Sequence, residues 1–411
     1  MTGQTLAEQI ISHAVGRTVH PGEIVILSPD VVMSHDSLTP GIIDILQDEF
    51  NKQDVFNPDQ LVFVFDHVSP AATVGTANSQ NKVRDFAKQQ NVRLFDVGRG
   101  ICHQILVEEK IAQPGTIVVG ADSHSTSYGA VGAFGTGMGS TDVAIIWATG
   151  KTWLRVPETL RIQVSGQFQP GVGPKDLALK IGRELTIAGA TYQAIEYHGL
   201  DWLSLNGRQT LCSMAVELGA KAGIVPPSGE ILNRFTVPDW LFVDPLANYS
   251  SVINFDLSEL EPQIALPHAV DNVVDISEVS GKQIHQIFLG TCTNGRYEDL
   301  REAADILQGQ KIMSGVRMIV TPASQNELLR AMQDNTISTL VSAGAVLTPP
   351  GCSACMGRHQ GTLGENELCL STGNRNFRGR MGAPSSKIHL VSPAVAAASA
   401  LTGVITDPRK L

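Results

Sequence analysis

Short runs of apolar residues punctuate this chain, and several of them stop on a polar pair. Leu61-Val62-Phe63-Val64-Phe65 is the clearest, and it ends on Asp66-His67. An unbroken apolar run of this length marks a strand buried on both faces, as in a parallel sheet. Residues 116–119 form a second run and open onto Gly120-Ala121-Asp122-Ser123-His124-Ser125. Residues 286–290 form a third, followed by Thr291-Cys292-Thr293-Asn294-Gly295-Arg296. Further strands are expected at 23–27, 93–97, 317–320 and 343–347. Helices are expected at 5–16, 40–50, 73–90, 140–149 and 297–307. Residues 34–36 read as a loop after the first strand.

The alternation of strands and helices predicts an α/β fold. Near residue 156 the pattern changes. Residues 160–164 alternate as a half-exposed strand would, and Pro174 suits the first turn of a helix over 173–185. Residues 194–199 and 210–221 complete this region, the latter as a helix. Residues 239–274 are irregular and dotted with proline, and read as a connection. Three α/β domains follow from this division, at 1–155, 156–283 and 284–411. There is no clear internal repeat and no low-complexity segment.

Composition narrows the class. A chain of 411 residues exceeds one ordinary core, and 43% hydrophobic with 17% charged residues is globular. The formal charge of −10 argues against a large nucleic-acid surface. No secretory signal and no apolar run of membrane-spanning length is legible. Six cysteines in so long a chain suit metal ligation or buried thiols better than a disulfide framework, and fit a cytoplasmic setting.

Strand ends are where ligands collect in parallel α/β sheets. His67 and His124 follow strand-like runs, each with a carboxylate nearby, Asp66 and Asp122. His103, in Gly100-Ile101-Cys102-His103, follows the 93–97 strand. A lone histidine is usually structural, but three in equivalent places point to acid–base work. The glycine-rich segment 129–139 precedes a helix and could receive an anion, yet it fits neither G-x-G-x-x-G nor, with Gly150-Lys151-Thr152, a P-loop. Nucleotide binding is not supported.

The cysteines carry the most specific signal. Cys352 and Cys355 form a C-x-x-C pair about twenty residues before Asn374-Arg375-Asn376-Phe377-Arg378-Gly379-Arg380. Cys292 supplies a third thiol at a strand-to-helix turn, where a helix N-terminus would favour its thiolate. Cys102, Cys212 and Cys369 lack paired spacing and read as buried thiols. With His359 as a fourth ligand the set would suit zinc. Without it, three thiolates would suit an iron–sulfur cluster with one open iron. Spacing alone supports the two equally.

GTCTNGRYEDL at 290–300 and PGCSACMG with STGNRNFRGRMG further on together resemble the aconitase superfamily. DHV at 66–68, GICHQ at 100–104, GADSHS at 120–125, EYHG at 196–199, MAVELGA at 214–220 and SPAVAAASALTG at 392–403 match it in the same order. The resemblance spans nearly the whole chain. It is closest to the branch of separate large subunits that act on isopropylmalate, with homoaconitate and 2,3-dimethylmalate enzymes as near relatives.

The resemblance implies a 4Fe–4S cluster, one per chain, held by Cys292, Cys352 and Cys355. It implies a hydro-lyase that removes water from a hydroxy di- or tricarboxylate and adds it back at the neighbouring carbon, in leucine biosynthesis if the substrate is isopropylmalate. Asp66, His67, His103, Asp122, His124 and Glu217 match catalytic positions. His35, Ser123, Asn374, Arg375 and Arg380 match substrate-binding ones, and paired guanidinium–carboxylate geometry suits arginine to that task. Ser213 and His35 stand where aconitases carry asparagine and glutamine, which favours the isopropylmalate and homoaconitate branches. The family's G-S-S-R-E-type segment, which carries a serine base on a swivelling fourth domain, is not found in this sequence. The implied architecture is therefore domains 1–3 around a central site, with a small subunit supplying the base in a heterodimer or heterotetramer. Some relatives bind RNA when the cluster is lost, a reading the acidic balance counts against here.

Overall fold

The computed structural model describes residues 3–411. Three main sheets organise them, together with a two-stranded antiparallel ribbon, Ile24–Leu27 with Thr152–Arg155.

The first sheet holds five parallel strands in the order Arg93–Phe95, Leu61–Val64, Val31–His35, Ile117–Gly120, Phe134–Gly137. The run at 61–65 is buried on both faces, as its continuous apolar character requires. Helix Val74–Gln90 is capped by the Thr73 hydroxyl and packs Val83 and Phe86 onto this sheet beside Trp147. Two strands differ from expectation. Val31–His35, whose last two residues fall in the expected loop at 34–36, is the central strand, and its five residues are all buried. Phe134–Gly137 lies inside the glycine-rich segment.

The second sheet has four parallel strands in the order Ala222–Ile224, Ala194–His198, Thr159–Ser165, Ser251–Asp256. The last of these lies in the stretch expected to be irregular. Close approach to the first unit needs glycine: a Cβ on Gly129 would sit 1.6 Å from the Gly223 carbonyl oxygen.

The third sheet has seven strands in the order Val273–Asp275, Gln263–Ala265, Lys387–Leu390, Leu368–Ser371, Gln286–Leu289, Arg317–Val320, Val346–Leu347. The last five are parallel. The first two are antiparallel additions, drawn from the supposed connection and preceding residue 284. Helices Tyr297–Leu307 and Pro393–Thr402 pack together over this sheet, where Leu300, Ala304, Val395 and Ala396 are buried.

Strand order fixes where a ligand can bind. In the first sheet the chain runs outward from Val31–His35 in one direction, then restarts at Ile117–Gly120 on its other side. In the third sheet the same reversal separates Gln286–Leu289 from Leu368–Ser371. At such switch points the loops beyond the carboxyl ends part and leave a crevice. Both crevices open onto one cavity.

Candidate active site

The cavity has a volume of about 290 Å³. His35, His67, His103, Asp122 and His124 line one wall, His35 from the end of the central strand and the others from segments beyond the first sheet or the helix start at Cys102. Cys292, Cys352, Cys355, Asn374, Arg375 and Arg380 line the other, from loops of the third sheet. Residues more than 300 positions apart in sequence, such as His35 and Arg375, thus share one space.

Asp122 is the hub of the imidazole wall. One of its oxygens lies 2.8 Å from His103 Nε2 and 3.5 Å from His124 Nδ1. The other lies 3.6 Å from His67 Nε2 and 4.0 Å from His35 Nε2. Burial opposes its charge, but the hydrogen bonds from His103, His124 and His67 outweigh it and hold the carboxyl well below its usual range. The Asp122 side chain also caps its own turn by accepting from the His124 amide at 2.8 Å.

Asp66 stands behind His67, fully buried, and does not line the cavity. An oxygen of its carboxylate lies 2.6 Å from His67 Nδ1, and its other oxygen accepts from the Cys102 amide at 2.8 Å. Burial alone would raise Asp66, but the charge and hydrogen bond of His67 pull it down to about 2. Burial also works against a charge on His67, yet the Cys352 sulfur, once deprotonated, and Asp66 raise its imidazole well above the ordinary value. His35 stacks on His67 with ring centroids 3.7 Å apart. Burial, then the charge on His67, lowers His35 to about 4. The pair therefore carries one positive charge, on His67, whose free edge faces Asp122 and the cavity.

Glu217 lies on the turn Ala215–Leu218, just behind the wall. Its Oε1 accepts from Arg375 Nε at 2.7 Å and lies 2.8 Å from His124 Nε2. Burial opposes its ionisation, but His124 and Arg375 keep its carboxyl below the usual value. Arg375 also donates through Nη2 to the Ser123 hydroxyl at 2.9 Å.

Two of the three thiols meet side-chain donors. Asn374 Nδ2 lies 3.3 Å from Cys292 Sγ, and Arg380 Nη2 lies 3.3 Å from Cys355 Sγ. Asn374 Oδ1 and Arg380 Nε are buried without a protein partner among the described residues. Soft sulfur ligands, an amide and a guanidinium donor turned toward them and unmet polar atoms fit an anionic iron–sulfur group. The backbone is held in an uncommon form here: Thr291 has φ +77° and Ser353 φ +47°, a strained region for a β-branched residue. Gly351, at φ +151°, lets the Cys352 amide reach the Asp66 carbonyl at 2.8 Å, tying the cysteine loop to the imidazole wall.

Two sequence expectations change. Cys292 is not favoured as a thiolate by a helix start, because the helix begins only at Tyr297 and burial pushes the thiol up to about 12. His359 is not a fourth ligand: its Nε2 lies 2.8 Å from the Pro70 carbonyl, and it does not line the cavity. Two residues escaped the sequence reading. Asp36 accepts from the amides of His67 and Val68, each at 2.9 Å, and so shapes the Asp66-His67 turn. Buried Arg296 holds the Cys292 loop through the carbonyls of Cys292 and, at 2.9 Å, Thr293. The Ser-His-Asp and Asn-Gly-Arg clusters after their strands were the available signals.

The profile of the aconitase family (aconitate hydratase) matches residues 8–403. The chain belongs to this family, and with it to the hydro-lyases. It is 54% identical over 411 residues to the 3-isopropylmalate dehydratase large subunit of Herpetosiphon aurantiacus, covering 100% of this chain and 97% of that one. It is 52% identical over 412 residues to the homoaconitase large subunit of Thermus thermophilus, covering 100% and 98%. Among solved structures, Thermococcus kodakaraensis aconitase X shares the fold, with a TM-score of 0.51 at 12% identity over 93% of each chain. No helix among the described residues is long and apolar enough to cross a membrane.

Proposed function

We propose that the chain is the large subunit of a cytoplasmic 3-isopropylmalate dehydratase, interconverting 2- and 3-isopropylmalate by loss and return of water. The observation that carries this reading is the meeting of three thiols, an imidazole–carboxylate wall and two arginines in one cavity. The 54% identity to a full-length 3-isopropylmalate dehydratase large subunit supports the substrate. Cys292, Cys352 and Cys355 would hold a 4Fe–4S cluster. When bound, such a group supplies a Lewis-acidic iron for a substrate hydroxyl.

The chain's own residues account for the remainder. Arg375 and Arg380 bind substrate carboxylates, with Asn374 and Ser123 fixing the arginine and sulfur positions. His67, kept protonated by Asp66, donates to the departing hydroxyl; His103 and His124 orient around Asp122 and relay its proton. Glu217 holds Arg375 and His124 in register. The name "large subunit" borne by the relatives supports a small-subunit partner, and to that partner we assign the base that takes the proton from the substrate carbon, in a heterodimer or heterotetramer. The three sheets support the proposed division into three domains near 1–155, 156–283 and 284–411, although the strands at 263–275 pair into the third sheet.

Homoaconitase chemistry is the second reading, favoured by the 52% identity to a homoaconitase large subunit. Assaying the complex of both subunits with isopropylmalate, homoaconitate and 2,3-dimethylmalate decides between them. Preference for isopropylmalate is expected; turnover confined to homoaconitate would replace the first reading with the second.

A further inference from the structure

Lys175 is a buried cation that the mechanism above does not use. It is the second residue of helix Pro174–Leu185 and is 0% exposed. Its ammonium donates to two main-chain carbonyls, those of Thr372, at 3.0 Å, and Gly373. Neighbouring Asp176 is turned elsewhere: its carboxylate accepts from the amides of Gly173 at 2.9 Å and Gln263 at 2.8 Å.

Burying an ammonium against neutral carbonyls is opposed by desolvation, and an apolar side chain of like size would fill the space without that cost. Burial indeed lowers Lys175 to about 7, against the opposing pull of Cys292 and the nearby carboxyls. A structural role alone does not explain the choice of lysine. Its partners do. Thr372 and Gly373 immediately precede Asn374, which lies on Cys292 Sγ, and Arg375, which lies on Glu217. Thr372 also accepts, through its hydroxyl, from the Gly290 amide at 3.0 Å, two residues before Cys292. The lysine comes from a helix that precedes the second sheet's strand Ala194–His198, whereas the loop belongs to the third sheet.

We propose that Lys175 is a positioning residue: its ammonium clamps the Thr372 and Gly373 carbonyls and so sets Asn374 on the cluster-ligand sulfur and Arg375 at the substrate carboxylate. The inference rests on the function proposed above for that site.

The test uses the complete two-subunit enzyme with Lys175→Met, which keeps the shape and removes the charge and donors. Hydrogen–deuterium exchange over 370–378 should speed up. KM should rise about tenfold or more while kcat changes less, because a small misplacement of a binding group is costly. The cluster's visible absorbance should decay faster in chelator. Exchange and KM both within about twofold of the parent would overturn the proposal. If Lys175→Met does not fold, Lys175→Gln, which removes the charge but keeps an amide NH2 group, is measured the same way and judged by the same two outcomes. If the parent itself shows no hydro-lyase turnover, the functional reading fails, while the exchange comparison still decides whether Lys175 holds the loop.

Discussion

Arg375 Nε and Glu217 Oε1 meet at 2.7 Å, across the gap between the third sheet's loop and the turn Ala215–Leu218. The guanidinium reaches Ser123 with its other arm, at 2.9 Å. One planar side chain is thus fixed at two points before any substrate arrives. Its remaining N–H groups are presented to the cavity in a set direction, which is how a fork-shaped donor selects a carboxylate.

Arg375→Lys keeps the charge but loses the fork. Charge-assisted hydrogen bonds contribute about 1.5–3 kcal/mol each, so KM for the dicarboxylate should rise by roughly ten- to a hundredfold. Steady-state kinetics of the two-subunit enzyme check this. An unchanged KM would remove Arg375 from substrate binding.

The Asp66–His67 contact at 2.6 Å predicts a pH effect. Asp66 helps raise His67, so Asp66→Asn should let the imidazole lose its proton at lower pH. If protonated His67 donates to the departing hydroxyl, the alkaline limb of kcat/KM moves to lower pH, by about 1–3 units for the loss of an adjacent opposite charge. A limb that stays in place would exclude His67 as the acid.

Acid should destabilise the fold in two windows. Asp66 is held at about 2 against an ordinary 3.8, so its contribution is complete above about pH 4 and is lost as pH falls toward 2. At about 1.36 kcal/mol per unit that is roughly 2 kcal/mol. His35, lowered to about 4 from 6.5, binds fewer protons folded than unfolded, so its part is lost as pH falls from 6.5 to 4. Urea unfolding at pH 7, 5 and 3 should show a falling midpoint, and His35→Gln should flatten the upper window.

Much of this was legible in the chain, for identifiable reasons. The helix Tyr297–Leu307 and the strand Arg317–Val320 fall where the pattern predicts, because each buries one clear apolar set. Val31–His35 was hidden because its end carries Ser34 and His35, polar residues that are buried for the site. Ser251–Asp256 was hidden because it is an edge strand with mostly exposed residues amid prolines. The motifs already name the cavity-wall residues to which roles are proposed, His35, His67, His103, Asp122 and His124 on one side and Cys292, Cys352, Cys355, Asn374, Arg375 and Arg380 on the other. Their convergence could not be read, since it depends on strand order: Cys292 and Asn374 meet only because their strands are neighbours at a reversal.

Loading of the thiols should depend on pH. Burial raises Cys292 to about 12 and raises Cys352 as well, so both are protonated in the metal-free protein near neutrality. Ligation must expel those protons. Anaerobic reconstitution with iron and sulfide should therefore proceed faster as pH rises from about 7 to 9, followed by visible absorbance, and iodoacetamide should modify Cys292 and Cys352 slowly. Rapid alkylation of both at neutral pH would contradict buried, neutral thiols.

The proposed division of labour puts the thiols and proton handlers in this chain and the base that takes the proton from carbon in a small subunit. Its most direct test is hydration of the unsaturated intermediate by the reconstituted chain, alone and with the small subunit, for the parent and Cys355→Ala. The account predicts turnover only for the parent with its partner, and no cluster absorbance in Cys355→Ala. Full turnover by the parent chain alone, or by Cys355→Ala with the partner, would contradict it.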